Sequence, residues 1–183
     1  MENERLTIEF SAQESSIKIN NEKYNFRNGC RTVFLWKDEC EFGYKIFTKS
    51  RRLSEIIFNY KSIRSLCLSK EEVKKIDHAH NVMGARGITP KSYGLVKFND
   101  EIWGLKVERI IGHHPVPRKD KSRHFNRKYI YSTAELRGQI SEMFGKLGVL
   151  RRDCHSHLNY MICHKTGKTF LIDIDWSHIK TMP

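Results

Sequence analysis

Apolar and polar residues alternate over residues 6–10 and 17–19, the period of a strand with one buried face. Asn28-Gly29 is a turn signal. The β-branched and aromatic run 32–36 predicts a further strand, residues 37–41 a polar turn, and 43–48 another strand. Residues 5–48 thus predict an antiparallel meander with Lys45 on its last strand. The period then changes. Leu53, Ile56, Ile57, Tyr60 and Ile63 share one face of a helix expected over 50–66. Ser69-Lys70-Glu71-Glu72 has the form of a capping box and starts a second helix. Val73, Ile76, His80 and Met83 make its buried face, and Gly84 or Gly87 ends it. On that face His80 reads as a packing residue.

Residues 92–98 and 102–111 predict two strands about Asn99-Asp100. Gly112-His113-His114-Pro115 breaks the pattern, and the basic run 118–128 lacks apolar periodicity, as a linker does. Ser132, with Glu135 three residues on, starts a helix lined by Leu136, Ile140, Met143, Phe144 and Leu147. Gly138, Gly145 and Gly148 each weaken it by about 1 kcal/mol against alanine. A polar loop over 151–159 leads to two short apolar runs, 160–163 and 169–172, flanking a Gly-containing turn. That hairpin would make Asn159 and Asp173 neighbours. Strands first and helices later predict an α+β fold in two lobes: residues 1–112, a hinge and basic loop over 113–131, and a small lobe over 132–183.

The chain has 183 residues, and none of its apolar runs reaches the roughly 18 residues of a membrane span. The charged N-terminus lacks a signal-peptide core. Five scattered cysteines without a CxxC pair fit free thiols in a cytoplasmic setting. The net charge of +12 favours phosphate-bearing or acidic partners: a nucleotide, an acidic protein or a nucleic acid. A basic solvated surface has the same composition.

Phosphoryl transfer from ATP uses a lysine on phosphate, a carboxylate orienting it, Asp and Asn for Mg²⁺, and an Asp at the nucleophile. Lys45, Glu71 or Glu72 (with Glu55 as a third choice), Asp153, Asn159 and Asp173 occur in the required order. The chain resembles the protein-kinase-like superfamily, especially compact aminoglycoside-phosphotransferase-like and minimal phage- or effector-type members. Arg151-Arg152-Asp153-Cys154-His155-Ser156-His157-Leu158-Asn159 is similar to the catalytic loop H-[RG]-D-x-[HK]-x-x-N. Leu171-Ile172-Asp173-Ile174-Asp175 resembles the magnesium motif, Tyr44-Lys45-Ile46-Phe47 the third-strand lysine, and Asn28-Gly29-Cys30 the glycine-rich turn. Val107-Glu108-Arg109-Ile110-Ile111-Gly112 resembles the hinge, and Gly87-Ile88-Thr89-Pro90 the segment leading from the αC helix to the fourth strand.

The resemblance implies a two-lobed protein-kinase-like fold, with an antiparallel N-lobe sheet and a much reduced C-lobe, acting on ATP with Mg²⁺. Asp153 and Lys45 would be catalytic. Lys45, Glu72, Gly29, Glu108 and His155 would border the nucleotide, and Asn159, Asp173 and Asp175 would bind magnesium. The acceptor would be a Ser/Thr hydroxyl on a protein. Asn159 stands six residues after Asp153, where the family has five; this favours the alternative, a pseudokinase or basic binding module that grips an acidic protein or nucleic acid. Two further readings rest on residue types. Cys154, His155, His157, Cys163 and His164 suggest zinc, without paired-ligand spacing. Asp77-His78 with Asn159, Cys163, His164 and Lys168 suggest a His-Asn-His nuclease, with its halves about 80 residues apart.

Overall fold

The alternating segments form the strands of a mixed α+β protein that is mostly sheet. The computed structural model describes residues 4–11, 16–28, 31–49, 66–115, 135–136, 138 and 159–173. In chain order these give β1 (Glu4–Leu6), β2 (Ile8–Ser11), β3 (Ser16–Ile19), β4 (Glu22–Asn28), β5 (Thr32–Trp36), β6 (Phe42–Phe47), helix α1 (Lys70–Ala85), β7 (Ser92–Phe98), β8 (Ile102–Glu108), β9 (Gly112–His113), β10 (Tyr160–Cys163) and β11 (Thr169–Leu171). Two compact units divide the chain: Met1–His78 with Ser92–Arg109, and Ala79–Lys91 with Ile110–Pro183.

The first unit holds an eight-stranded sheet in the order β1-β7-β8-β6-β5-β4-β3-β2. Its two end strands are separated in sequence only by Thr7. Residues 4–6 run parallel to β7, with Glu4 opposite Val96 and Leu6 opposite Phe98. Residues 8–11 run antiparallel to β3, with Ile8 opposite Ile19. One stretch therefore touches both ends of the sheet and nearly closes it into a barrel; the predicted antiparallel meander is present from β2 to β6, and the parallel pairing of β1 with β7 lies beyond that prediction. Alternation fixes the inside: Leu6, Ile8, Ile17, Ile19, Tyr24, Val33, Leu35, Tyr44, Ile46, Val96, Phe98 and Ile102 form one buried cluster with Cys67. A register slip of one residue would turn this set outward.

At Thr7 the strand changes partners, and two asparagine side chains occupy the gap. Asn99 Nδ2 donates to Ile8 O at 2.7 Å, and its Oδ1 accepts from Ile8 N at 2.8 Å, as a peptide group would. Asn20 Oδ1 accepts from Thr7 N at 2.8 Å, while Asn20 N donates to Thr7 O at 2.9 Å. Both asparagines sit at hairpin tips with φ of 49°, a left-handed conformation that asparagine tolerates better than most residues. Asn20-Asn21 and Asn99-Asp100 each place two successive residues there.

Helix α1 starts as the capping box predicts. Glu72 N donates to Ser69 Oγ at 3.3 Å, and Glu72 Oε2 accepts from Ser69 N at 2.7 Å. Val73, Ile76, Ala79, His80 and Met83 are its buried side. Lys70 Nζ lies 4.6 Å from the Trp103 ring centroid, and Ser92 Oγ donates to Asp77 at 2.6 Å, so the start of α1 meets the outer face of β7 and β8. Before it, Lys49 N donates to Leu66 O and Leu68 N to Phe47 O, which returns the chain to the end of β6. The helix expected over 50–66 falls mostly outside the described residues. Strand β8 ends three residues before the expected 111, although Arg109 N still donates to Glu41 O at 2.8 Å, and the Arg109 side chain clamps the preceding turn. Its NH1 donates to Lys37 O and Asp38 O, and its NH2 meets the Asp38 carboxylate at 3.0 Å.

In the second unit α1 ends in a Schellman pattern. Ile88 N donates to Met83 O, and Gly87 N to Gly84 O. Gly87 carries the required positive φ of 67°. The other sheet has the order β11-β10-β9. The predicted hairpin is present, with Tyr160 opposite Leu171 and Ile162 opposite Thr169. Gly112-His113, expected as a break, instead pairs antiparallel with β10. A Cβ at Gly112 would fall on the Ile162 carbonyl oxygen, so only glycine permits that approach. Residues 118–128 lie outside the described set; Glu135, Leu136 and Gly138 are helical.

Replacing Asn99 by Gly keeps the left-handed backbone but deletes both side-chain bonds to Ile8. Urea melts should show a loss of about 1–3 kcal/mol. Asn21→Gly, at a left-handed position outside the clamp, should change stability by less than about 0.5 kcal/mol.

Candidate functional site

Lys45 sits in a central strand, opposite Phe34 on β5 and Leu105 on β8. It is 6% exposed, which rules out the ordinary role of a solvated edge lysine. Alternation puts it on the outer face of the sheet with Gly43, Leu105 and Trp103, the face that the start of α1 meets. Gly43 is held small by its neighbour: a Cβ there would lie 2.6 Å from the ring atoms of Phe34. Phe34 in turn stacks on Trp36, with centroids 5.5 Å apart and planes 19° apart. The lysine is thus flanked by an aromatic pair on one strand and by leucine on the other.

The two carboxylates weighed as partners for Lys45 have local engagements. Glu72 Oε2 accepts from both Ser69 N and Ser69 Oγ at 2.7 Å. These two bonds, backbone first, hold its carboxyl below the usual glutamate range. Glu71 is bonded to Lys74 at 2.9 Å, and this bond chiefly lowers its pKa. Glu108 is the last residue of β8, opposite Phe42. Glu55 and Gly29 lie outside the described residues.

The hairpin does what its spacing predicts. Asn159 O accepts from Ile172 N at 2.7 Å and from Asp173 N at 3.4 Å, so Asn159 and Asp173 are neighbours at the open end of the β10–β11 ladder. Both are partly buried. The ladder is anchored by Tyr160, Ile162 and Leu171, all buried, and by Leu171 N donating to Ile88 O at 2.8 Å. His114 Nδ1 lies 2.8 Å from Tyr160 O, tying down the residue after Asn159. A side-chain amide oxygen and a carboxylate, such as Asn159 and Asp173 carry, are hard oxygen donors of the kind Mg²⁺ takes. Asp153, His155 and Asp175 lie outside the described residues, as do Cys154 and His157.

Among the described residues no group of three or more His, Cys, Asp or Glu side chains is arranged to hold a metal. Cys163 and His164 are consecutive at the end of β10, and His164 Nε2 meets His113 Nδ1 at 3.1 Å. His80 is buried, as expected of a packing residue, with Thr89 Oγ1 donating to its carbonyl at 3.1 Å. Asp77 accepts from Ser92, which gives that carboxylate a structural task. The Asn20 and Asn99 clamps, the Arg109 clamp and the His113–His164 contact escaped sequence reading. Each joins residues 51 or more positions apart except the Asn20 contact, and none of them has a local pattern.

No helix among the described residues is long and apolar enough to cross a membrane. Comparison with protein-family models, curated proteins and solved structures found no match.

Because the folded-state pKa of Glu72 is depressed, its contribution is present above the unfolded carboxylate pKa. It is lost as pH falls through the folded value. Glu72→Gln should therefore flatten the fall in stability as pH drops below the ordinary glutamate pKa of about 4.3. Ser69→Ala should cost about 1 kcal/mol at neutral pH. Urea melts across pH check both; an unchanged acid arm in Glu72→Gln contradicts the assignment.

Proposed function

We propose that the chain is a Mg²⁺- and ATP-dependent phosphotransferase with a two-lobed, kinase-like fold, acting on a Ser/Thr hydroxyl of a protein. The observation that carries this reading is the buried Lys45 on the third strand of the run β4-β5-β6, followed by α1 and then by the β7–β8 hairpin. This is the order in which a kinase N-lobe presents its phosphate lysine and αC helix. The neighbouring Asn159 and Asp173 support it independently, as a magnesium-binding pair.

In this reading the Lys45 ammonium contacts the phosphates. Its position in the middle of a sheet fixes the side-chain stem, so little motion is needed when charge develops. The Asn159 side-chain oxygen and the Asp173 carboxylate hold magnesium, with Asp175 beside them; the ion, when bound, neutralises phosphate charge. Asp153 orients the acceptor hydroxyl and takes its proton, His155 supports that loop, and the backbone near Glu108 borders the base.

A second reading, a pseudokinase or basic binding module, is favoured by one observation: Asn159 stands six residues after Asp153, where the kinase-like catalytic loop has five. The two readings part on turnover. Phosphate transfer from labelled Mg-ATP should fall by about 10²–10⁴-fold in Asp153→Ala. Calorimetry should show weakened nucleotide binding in Lys45→Ala, and Asp173→Ala should remove its magnesium dependence. Nucleotide binding without transfer supports the second reading. A wild-type chain that does not bind Mg-ATP sinks the first.

A further inference from the structure

His113 and His164 come from distant parts of the chain and meet on the surface of the small sheet. His164 Nε2 and His113 Nδ1 are 3.1 Å apart, with ring centroids separated by 5.3 Å and planes inclined by 32°. Both residues are exposed. Their backbones are held on either side of one ladder: His113 is opposite Ile162, Gly112 is opposite Cys163, and His164 N donates to Ile111 O at 2.9 Å. Gly112 permits the close approach of the two strands, and these main-chain bonds hold the backbones that carry the two imidazoles.

Two imidazole nitrogens in contact share one proton at most; two N–H groups facing one another would repel. A divalent ion replaces that proton by accepting both lone pairs. Two nitrogens each about 2.0–2.1 Å from a tetrahedral zinc stand about 3.3–3.4 Å apart, within a few tenths of an ångström of the separation found here. Imidazole also suits nickel and copper, whereas magnesium prefers oxygen donors.

We propose that His113 and His164 form a two-imidazole site for a divalent transition metal of the zinc–nickel class, separate from the proposed magnesium-binding residues. His113 ligates through Nδ1 and His164 through Nε2, each carrying its proton on the other ring nitrogen. Water fills the remaining positions and leaves them open to an exchangeable ligand. The bound ion links β9 to the end of β10 and stabilises that sheet by mass action.

The test uses Zn²⁺ or Ni²⁺ alone, without nucleotide, titrated calorimetrically into the full chain in a non-chelating buffer. The expected result is one binding event, with either His113→Ala or His164→Ala weakening it by more than the roughly 10–100-fold that losing a supporting neighbour costs. No binding by the wild type, or binding unchanged in both variants, overturns the proposal. Should either variant fail to fold by circular dichroism, Co²⁺ added to the wild type supplies the second readout. Paramagnetic shifts of both imidazoles in NMR spectra support the site, and unperturbed imidazole signals overturn it. These outcomes are independent of Mg-ATP binding.

Discussion

At Thr7 the first strand abandons one neighbour and takes up another. Its residues before Thr7 hydrogen-bond to β7, its residues after it to β3, and these neighbours belong to opposite ends of the sheet order. The Ile8 amide and carbonyl, left between two ladders at a buried residue, would need other partners, because a buried amide without one costs about 1–3 kcal/mol; the exposed Thr7 gains a second tie. Asn99 supplies the partners and Asn20 the tie, each from a hairpin tip whose left-handed backbone aims the side chain back at the strand. With the strand held, the inner faces of all eight strands share one apolar core; without it, Leu6 and Ile8 lose their place beside Ile19 and Phe98.

This closure governs the outer face as well. Once Val33, Leu35, Tyr44 and Ile46 are committed inward, the period of two sends Phe34, Gly43 and Lys45 outward. Lys45 then lies between β5 and β8 on the face that the start of α1 meets through Lys70 and Trp103. The position of the candidate phosphate lysine follows from the packing of its hydrophobic neighbours. Arg109 adds a restraint where β8 ends, binding three carbonyls of the residues 37–40 turn. In the second unit, the ladder between β10 and β11 determines that Asn159 and Asp173 meet.

Local patterns were the legible part of this fold. Alternation located β3, the β-branched and aromatic run located β5, the Ser69–Glu72 box located the start of α1, and Asn99-Asp100 and Gly167 marked their turns. The juxtaposition of Asn159 and Asp173 was also legible, since hairpin register is set by turn length. Long-range pairing was not: nothing near residues 4–6 signals a parallel partner at residues 96–98, and nothing near Gly112 signals Ile162. The choice between Glu71 and Glu72 as partner of Lys45 depended on which carboxylate the helix start would consume. The capping geometry engages Glu72, and Lys74 engages Glu71.

The proposed nucleotide chemistry rests on a buried lysine on a central strand of the first unit and, separately, on Asn159 and Asp173 at the end of a hairpin of the second. The most direct measurement is backbone amide NMR of the full chain during titration with ATP, with and without Mg²⁺. The account predicts shifts at Gly43–Lys45 with nucleotide, together with shifts at Asn159 and Asp173 that require magnesium. Shifts confined to the basic run 118–128, or none at all, would contradict it.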